Sequence, residues 1–449
     1  MPYTTFKTVS VALAMAGFAV APARAEDAAA QPAPAQAPAQ AYAVHGQATL
    51  TVQHVGDFAS PYVGANSLTP RQTQETVDVT LDIGLRPWDG AEIWANPEID
   101  QGFGLSNTLG AAGFPSAEAY KVGNKHPYFK LQRLFARQTI ALGGAAVALD
   151  AGANQLRGTT TANRIVITAG KIGVGDVFDT NKFAHDPRGD FLNWSLADTG
   201  SYDYAANAWG YSYGVAAEWY QGAWTARAGL FNLSRVPNGV ALESDFSQNE
   251  IVVEGEHRHH IAGRDGTLRL TLFRNRGQFS RFDDAVALAT TTGQPIDLAL
   301  TRRRMSRAGV AFNGEQDVTA NLGVFVRAGT TDGAIETYDF TDIDRTFAIG
   351  AALKGKAWGR PQDTLAIAGV VNGISAAHQR FLAAGGISVL VGDGRLPHPG
   401  DEQIIEAYYA FRPVGWAAIT LDFQRITNPG YNRDRGPANV VGARFHAGF

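Results

Sequence analysis

The stretch "ETVDVTLDIGLR", residues 75–86, alternates between apolar and polar side chains. The two sets fall on opposite sides of an extended chain: Val77, Val79, Leu81, Ile83 and Leu85 on one side, and Asp78, Thr80, Asp82, Gly84 and Arg86 on the other. A period of two is typical of a β-strand with two different faces, whereas a helix would scatter both sets around its surface. This stretch therefore predicts a strand between two contrasting environments.

The same alternation recurs along the chain. It is clear in "TLRLTLF" (267–273), "NLGVFVRA" (321–328) and "AAITLDFQ" (417–424). Extending this interpretation predicts about sixteen strands, near residues 43–56, 75–86, 91–100, 128–142, 164–174, 209–220, 223–233, 248–259, 266–277, 301–313, 320–331, 344–355, 363–371, 402–411, 415–428 and 437–449.

Short and long connections alternate between these strands. Short ones include "PWDG" (87–90) and "QG" (221–222), and long ones include residues 101–127, 175–208, 278–300 and 372–401. Tight turns at one rim and long loops at the other are typical of a closed up-and-down barrel. The fold prediction is thus an all-β, antiparallel transmembrane barrel. The connection at 143–164 is too long for its predicted short rim, and we expect an ordered excursion there.

The polar stripes carry many charges, and these indicate which side of the sheet is wet. They hold Asp78, Asp82, Arg133, Arg137, Glu218, Arg227, Glu250, Glu254, Glu256, Arg269, Arg327, Asp422 and Arg444. A barrel of sixteen strands is too wide for apolar side chains to fill. The apolar stripes are therefore expected to face lipid and the charged stripes a water-filled lumen, since only helices and closed barrels satisfy their backbone in hydrocarbon.

Aromatic residues at strand ends point to the same arrangement. Trp88, Trp219, Trp224, Trp358 and Trp416 lie beside predicted short turns, and Tyr211 and Tyr213 lie at the other end of their strand. Amphipathic rings gather at the two membrane–water boundaries. The alternative is that these rings form the core of a soluble β protein.

The first 41 residues differ from the rest. Lys7, an apolar run and the small-residue sequence Ala23-Arg24-Ala25 predict a secretory signal peptide over residues 1–25, cleaved near Ala25. A helical membrane anchor is the alternative. The Ala/Pro/Gln-rich residues 26–41 predict a periplasmic arm, followed by the barrel domain at 42–449. With no cysteine, the exported chain holds together without disulfides, and its net charge of −4 with no basic block gives no indication of nucleic-acid binding.

The chain ends on "VVGARFHAGF", residues 440–449. Phe445 and Phe449 fall on the lipid side of the last predicted strand. This strand must pair with the first one to leave no free sheet edge. We expect Phe445 and Phe449 to form the signal that the barrel-insertion machinery recognises.

Five segments resemble the carbohydrate-selective porin family, the OprB type of Gram-negative outer membranes. They are "AEIWANPEIDQGFGLSNTLGAAGFPSAEAYKVG" (91–123), "VGDVFDTNKFAHDPRGDFLNWS" (174–195), "VVNGISAAHQRFLAAGG" (370–386), "VLVGDGRLPHPGDEQIIEAYY" (389–409) and "NPGYNRDRGP" (428–437). The resemblance is collinear over most of the chain. It implies a sixteen-stranded outer-membrane barrel that passes small sugars through a pore narrowed by long loops. Some members of such a family could be general pores.

Two groups of side chains are candidates for contact with the solute. Connection 175–208, the third external loop, combines aromatic faces with forked polar groups, which suit the two sides of a sugar ring. The candidates there are Asp179, Asn181, His185, Asp186, Arg188, Asp190, Phe191 and Trp194. The predicted lumen arginines Arg133, Arg137, Arg227, Arg269 and Arg327 form the second group. The alternatives are that the first group only braces its loop and the second only forms ion pairs.

Other functions remain open from the sequence. Alternation splits the histidines of "EGEHRHH" (254–260), so we expect no metal site there, and we expect no cofactor. An outer-membrane barrel enzyme would need a nucleophile beside a base, and no such set is evident. A general or anion-preferring pore is the alternative because arginine-lined pores favour anions, although lumen acids are here about as numerous as lumen bases. The expected partners are small sugars, outer-membrane lipid and the insertion machinery, with a homotrimer possible.

Overall fold

The computed structural model describes residues 38–119 and 123–449. The predicted signal peptide and residues 26–37 of the predicted arm lie outside the described residues. Sixteen strands are formed within them: β1 (Tyr42–Val55), β2 (Gln72–Leu85), β3 (Ala91–Gly102), β4 (Asn124–Leu149), β5 (Gly158–Ile172), β6 (Ser212–Gln221), β7 (Trp224–Asn232), β8 (Asn249–Ile261), β9 (Arg264–Phe279), β10 (Arg303–Asp317), β11 (Leu322–Thr331), β12 (Arg345–Gly355), β13 (Arg360–Gly373), β14 (Glu402–Val414), β15 (Ala417–Thr427) and β16 (Ala438–Gly448).

Each strand pairs antiparallel with its neighbours in the chain, and β1 pairs with β16 to close the barrel. The predicted fold class is confirmed. Seven tight inner turns alternate with eight outer loops, which we number 1 to 8: residues 56–71, 103–123, 173–211, 233–248, 280–302, 332–344, 374–401 and 428–437. Three α-helices lie in these loops: α1 (Trp194–Ala197) in loop 3, α2 (Phe282–Thr292) in loop 5 and α3 (Ala376–Ala383) in loop 7.

The hairpin of β4 and β5 is the main departure from the predicted boundaries. Strand β4 has 26 residues and β5 begins at Gly158, so most of the predicted 143–164 connection is strand and the turn is confined to 150–157. The pairing shifts register at Gly143. Because such irregularities displace side chains from one face to the other, the alternation that identified the other strands is lost here.

The faces of the barrel follow the alternation. On β9, Leu268, Leu270 and Leu272 are exposed on the outside, whereas Arg269 and Thr271 between them are buried on the inside. The five tryptophans near inner turns are 37% to 63% exposed, as expected of rings at a membrane boundary. Tyr213 is also exposed, but Tyr211 is buried. The prediction that Tyr211 belongs to the outer aromatic ring is therefore wrong, because Tyr211 is the last residue of outer loop 3 and lines the cavity inside the barrel.

Besides the apolar stripes on the outside of the barrel, buried apolar side chains fill part of the lumen. Buried rings from outer loops 2, 3 and 6 pack against inward rings of the wall, for example Phe178 against Phe231 and Phe191 against Tyr408. The lumen is consequently not an open tube, and the loops within it decide where a solute can pass. Among the described residues, no helix is long and apolar enough to cross a membrane.

Candidate functional site

Outer loop 3 folds into the barrel, and most of its residues are buried there. It enters through a short 3-10 turn at Val174–Asp176 and turns again at α1, whose N-cap Asn193 accepts a hydrogen bond from the backbone of Ser195. Its apolar side chains Phe178, Phe191 and Leu196 are buried against the wall. Burial of these groups explains why a long polar-looking loop is held inside the lumen.

Carboxylates of the wall hold this loop by its backbone. Glu406 accepts the N–H groups of Leu192 and Asn193, at 2.6 and 2.9 Å. Glu254 accepts the N–H of Asp179 at 2.9 Å. Buried backbone groups need such partners because no water replaces them. Glu254, which the alternation placed on the inward face, therefore anchors the loop together with Glu406, which was not predicted.

Two wall arginines hold the same loop by its carbonyl groups. Arg327 donates to the backbone oxygen of Leu196 at 2.5 Å and to that of Asp179 at 3.1 Å. Arg444 donates to the backbone oxygens of Pro187 and Asp190. Both arginine side chains are buried. In this structure Arg327 is thus positioned to brace the loop.

A cavity of about 720 Å³ runs beside the loop. Its wall includes Arg133, His185, Asp186, Arg188 and Trp194 among the predicted contact residues. It extends to His45 on β1 and to Phe449, at the inner end of the barrel. The cavity is the candidate path for a solute through the lumen.

Arg188 is surrounded by acids on this cavity. Its Nε lies 2.9 Å from Oε1 of Glu118 in outer loop 2, and its Nη2 lies 2.8 Å from Asp78 and 3.4 Å from Glu98. The side chains of the three acids are almost fully buried, whereas that of Arg188 is 19% exposed. We call these four residues the acid–arginine cluster. Its hydrogen-bonding groups are closely packed and reach the cavity through Arg188 and Glu118, so the cluster presents a polar edge there.

Arg133 and Asp176 form a second pair on the cavity. Two parallel hydrogen bonds join them, from Nε to Oδ2 at 2.7 Å and from Nη2 to Oδ1 at 2.6 Å. The guanidinium group also lies 4.9 Å from the centre of the Tyr211 ring. Burial alone would raise the pKa of Asp176, but the charge and hydrogen bonds of Arg133 outweigh it and hold that pKa below its usual value. Asp176 is therefore ionised when the pair forms.

His185 lies beside two acids of its own loop, Asp198 and Asp190. Its Nδ1 is 3.5 Å from Oδ1 of Asp198. Burial favours the neutral ring, but the hydrogen bond and charge of Asp198 prevail and raise the pKa of His185. Asp190 accepts the backbone N–H groups of His185 and Asp186, at 3.3 Å each, and burial together with the charge of Asp186 raises its pKa.

Four aromatic rings from three loops meet at the outer part of the cavity. Trp194 stacks on Phe114 of outer loop 2 with ring centres 5.4 Å apart. It also contacts Tyr204 at 5.6 Å and Phe340 of outer loop 6 at 6.0 Å. All four rings line the cavity. Their flat apolar faces are suited to the C–H side of a sugar ring.

The remaining predicted residues are not brought to this cavity. Asp179, Asn181 and Phe191 are buried; Asp179 accepts hydrogen bonds from Asn313 and from Thr199, just after α1 in its own loop, and Asn181 donates to Asn313. Arg227 pairs with Glu218, Glu254 and Glu256, and Arg269 with Glu256 and Glu315. Arg227 and Arg137 line a separate cavity of about 550 Å³.

The long hairpin of β4 and β5 returns into the inner end of the barrel. The backbone oxygen of Asn154, in its turn, accepts a hydrogen bond from Arg137 at 2.8 Å, and Leu156 is buried in the lumen cluster. Ala153 and Asn154 line both cavities. The turn therefore stands between the two spaces, and the excess length noted in the sequence was the only signal of it.

Comparison with known proteins agrees with this arrangement. The sequence model of the carbohydrate-selective porin, OprB family, matches residues 65–449. The chain belongs to the OprB family of carbohydrate-selective porins. As an OprB-family porin it is a channel of the Gram-negative outer membrane that passes carbohydrates. No curated protein sequence matched the chain.

Solved structures share the fold of this OprB-family porin at low sequence identity. OprB of Pseudomonas putida in its high-pH structure has a TM-score of 0.68 at 16% identity, covering 91% of this chain and 94% of that one. The low-pH structure of the same protein gives 0.50 at 13% identity, covering 91% and 93%. The outer membrane channel DcaP of Acinetobacter baumannii gives 0.50 at 11%, covering 91% and 97%.

The sequence pattern missed several residues of the OprB-family site. Glu98 and Glu118 complete the acid–arginine cluster, and Phe114, Tyr204 and Phe340 complete the aromatic group. On β3, Glu98 and Asp100 lie on the inward face and Ile99 between them faces outward. The inward position of Glu98 could therefore be predicted from the alternation. Glu118 and Phe114 lie in an irregular loop, where no periodicity shows which way a side chain points.

Proposed function

We propose that small neutral sugars diffuse passively through the larger cavity and are handled there by two kinds of surface. The acid–arginine cluster and the Arg133–Asp176 pair exchange hydrogen bonds with sugar hydroxyl groups. The rings of Phe114 and Trp194 contact the apolar side of the sugar. The observation that carries the proposal is that both ion pairs and both rings line one continuous cavity.

The electrostatics favour passage over tight binding. Each guanidinium group already has carboxylate partners within the site, so a sugar hydroxyl competes with a stronger charge-assisted bond and is held only weakly. A channel needs sites that are favourable enough to enter and weak enough to leave. The paired charges also give no reason for strong attraction of a charged solute.

The proposal divides the predicted residues into two classes. Arg133, His185, Asp186, Arg188 and Trp194 line the cavity and are proposed to contact solute. The others are proposed to hold the loop or the wall in place: Arg137, Asp179, Asn181, Asp190, Phe191, Arg227, Arg269 and Arg327.

A liposome-swelling series with sugars of increasing size tests this function. Monosaccharides should enter faster than disaccharides, because the loops and the β4–β5 turn divide the lumen. Single-channel recording in a planar bilayer gives the second measurement, in which added sugar should reduce the ion current. An open channel whose current is unaffected by sugars, with strong anion selectivity in a salt gradient, would instead indicate an anion-preferring pore.

Two further expectations concern cleavage of the signal peptide and assembly into a homotrimer. Cleavage near Ala25 is proposed from the small residues at 23–25, and N-terminal sequencing of protein extracted from outer membranes would test it. The homotrimer remains an expectation, which native mass spectrometry of the detergent-solubilised protein would measure.

A further inference from the structure

Two arginines project from the outside of the barrel near the outer end of β9. Arg274 and Arg276 are exposed and continue the outward stripe of Leu268, Leu270 and Leu272. Their neighbours Phe273 and Asn275 are buried and point inward. The two guanidinium groups therefore leave the barrel on its lipid side.

The height of these arginines places them in the outer half of the apolar band. Leu268 pairs with His257, which pairs with Trp224 of the inner aromatic ring. With a rise of about 3.4 Å per residue and a tilt of about 45°, Arg274 and Arg276 lie roughly 14 to 19 Å further out along the barrel axis than Leu268 of the same strand. The apolar band of such barrels is about 25 Å tall, so its outer boundary lies a few ångströms beyond them.

Neither arginine has an acidic partner within ion-pair distance among the residues at 38–119 and 123–449. The one hydrogen bond of the Arg274 side chain goes from Nε to Oγ of Ser306, at 3.3 Å. Across the strand pairs, the outward neighbours of Arg274 are Ile251 and Ala308, and those of Arg276 are Asn249 and Ser306. An arginine facing lipid is unfavourable unless an anionic group compensates it.

Arg304 of β10 extends the patch. It pairs with Gln278, which makes it the diagonal neighbour of Arg276 on the same face, at about 7–8 Å between the backbones. Arg304 donates a hydrogen bond to the backbone oxygen of Ser247. It also interacts electrostatically with Asp245 in outer loop 4. The arrangement is a diagonal row of three cations toward the outer ends of β9 and β10.

Charge complementarity decides between a lipid and a second copy of the chain. On the described strands, the exposed carboxylates are Glu75, at the outer end of β2, and Asp265, beside an inner turn. The outer face of another barrel thus offers few acids at this height. We propose that Arg274 and Arg276 form a binding site for the phosphate of a lipid headgroup in the outer leaflet. The planar guanidinium group matches phosphate oxygens with paired hydrogen bonds, and Arg304 is available to a second oxygen or phosphate of the same headgroup.

Native mass spectrometry of the full detergent-solubilised protein tests the site with a defined probe. The probe is phosphatidic acid, and diacylglycerol with the same chains is the neutral control lipid. The test variant is R274Q/R276Q. The matched control is R345Q/R425Q, which removes two outward arginines that already have protein partners, Asp401 at 2.7 Å and Asn439 at 3.2 Å.

Wild type and R345Q/R425Q should carry a phosphatidic acid adduct that diacylglycerol does not form. R274Q/R276Q should lose it, with an affinity lower by about tenfold or more, as expected for loss of charge-assisted hydrogen bonds. Equal adducts in wild type and R274Q/R276Q, or equal binding of diacylglycerol, would overturn the proposal. So would loss of an oligomer in R274Q/R276Q with unchanged lipid binding, because the patch would then be a contact between subunits. If R274Q/R276Q does not fold, R274K/R276K should fold and retain the adduct at reduced affinity.

Discussion

The guanidinium group of Arg188 in outer loop 3 lies 2.9 Å from the carboxylate of Glu118 in outer loop 2, and 2.8 Å from that of Asp78 on β2. One cation therefore joins two loops and the barrel wall at the edge of the larger cavity. Its removal would leave three neighbouring acids without their shared counter-charge.

Replacement of Arg188 by Gln is expected to make the channel prefer cations. The uncompensated acids at Asp78, Glu98 and Glu118 attract cations and repel anions, as rings of acids do in cation channels. The reversal potential in a salt gradient should shift toward the Nernst potential of the cation. R188K, which keeps the charge, should shift it far less. An unchanged reversal potential in R188Q would show that the ions do not pass this cluster.

The anchoring of outer loop 3 is tested at Glu406. E406A leaves the buried N–H groups of Leu192 and Asn193 without acceptors, at a cost of about 1–3 kcal/mol for each group. The free energy of unfolding in bilayers should fall accordingly. The loosened loop should also raise single-channel current noise. E406Q retains one acceptor oxygen and should lose about half as much; equal stability of E406A and wild type would contradict the anchoring role.

The turn at 150–157 is expected to restrict the inner end of the pore. Because the chain has no cysteine, A153C gives a single thiol at a position that lines both cavities. A bulky thiol-reactive reagent should then reduce the conductance. G415C, at an exposed inner turn away from both cavities and with open space around its Cβ, is the matched control and should be unaffected. No effect of the reagent on labelled A153C would show that solutes do not pass the turn.

The pair of His185 and Asp198 makes loop stability depend on pH. The pKa of His185 is raised above its ordinary value of 6.5 by Asp198. The contribution is therefore fully present below pH 6.5 and is lost as the pH rises through the higher folded-state value. The difference in unfolding free energy between wild type and H185Q should shrink as the pH rises from 6.5 through the folded-state pKa of His185. A constant difference would show that His185 does not change protonation there.

The terminal ring is expected to matter for assembly. The backbone of Phe449 exchanges hydrogen bonds with Gly46 of β1 at 2.9 and 3.1 Å, and its ring lies over Gly46, where a side chain would approach it to 2.6 Å. F449D places a charge at the inner membrane boundary and should greatly reduce the heat-resistant folded band in membranes, whereas F449L should reduce it less. In channels of F449D that do insert, sugar passage should change less than assembly does. Normal assembly of F449D would refute the assignment.

The sequence predicted the barrel well and the site only in part, for physical reasons. Strands between lipid and water must alternate, so stripes such as Leu268 to Leu272 are visible without a structure. The path of a loop inside the lumen depends on contacts between distant residues. Arg327 was therefore correctly placed on the inward face, but its burial beneath Leu196 was not predictable. Glu118 escaped notice for the same reason, since its importance comes from Arg188, which lies in another loop.

Outer loop 3 is held chiefly through its main chain, by Glu254, Glu406, Arg327 and Arg444 of the wall. Such attachment through the main chain does not depend on the loop's cavity-facing side chains, and the buried Phe178, Phe191 and Leu196 hold the loop from its other side. The cavity-facing positions of the loop are consequently free to be exchanged while the loop keeps its course. A library of substitutions restricted to Asp186 and Trp194 would thus sample new permeant molecules on an unchanged scaffold, which makes this barrel a practical starting point for redesigning uptake.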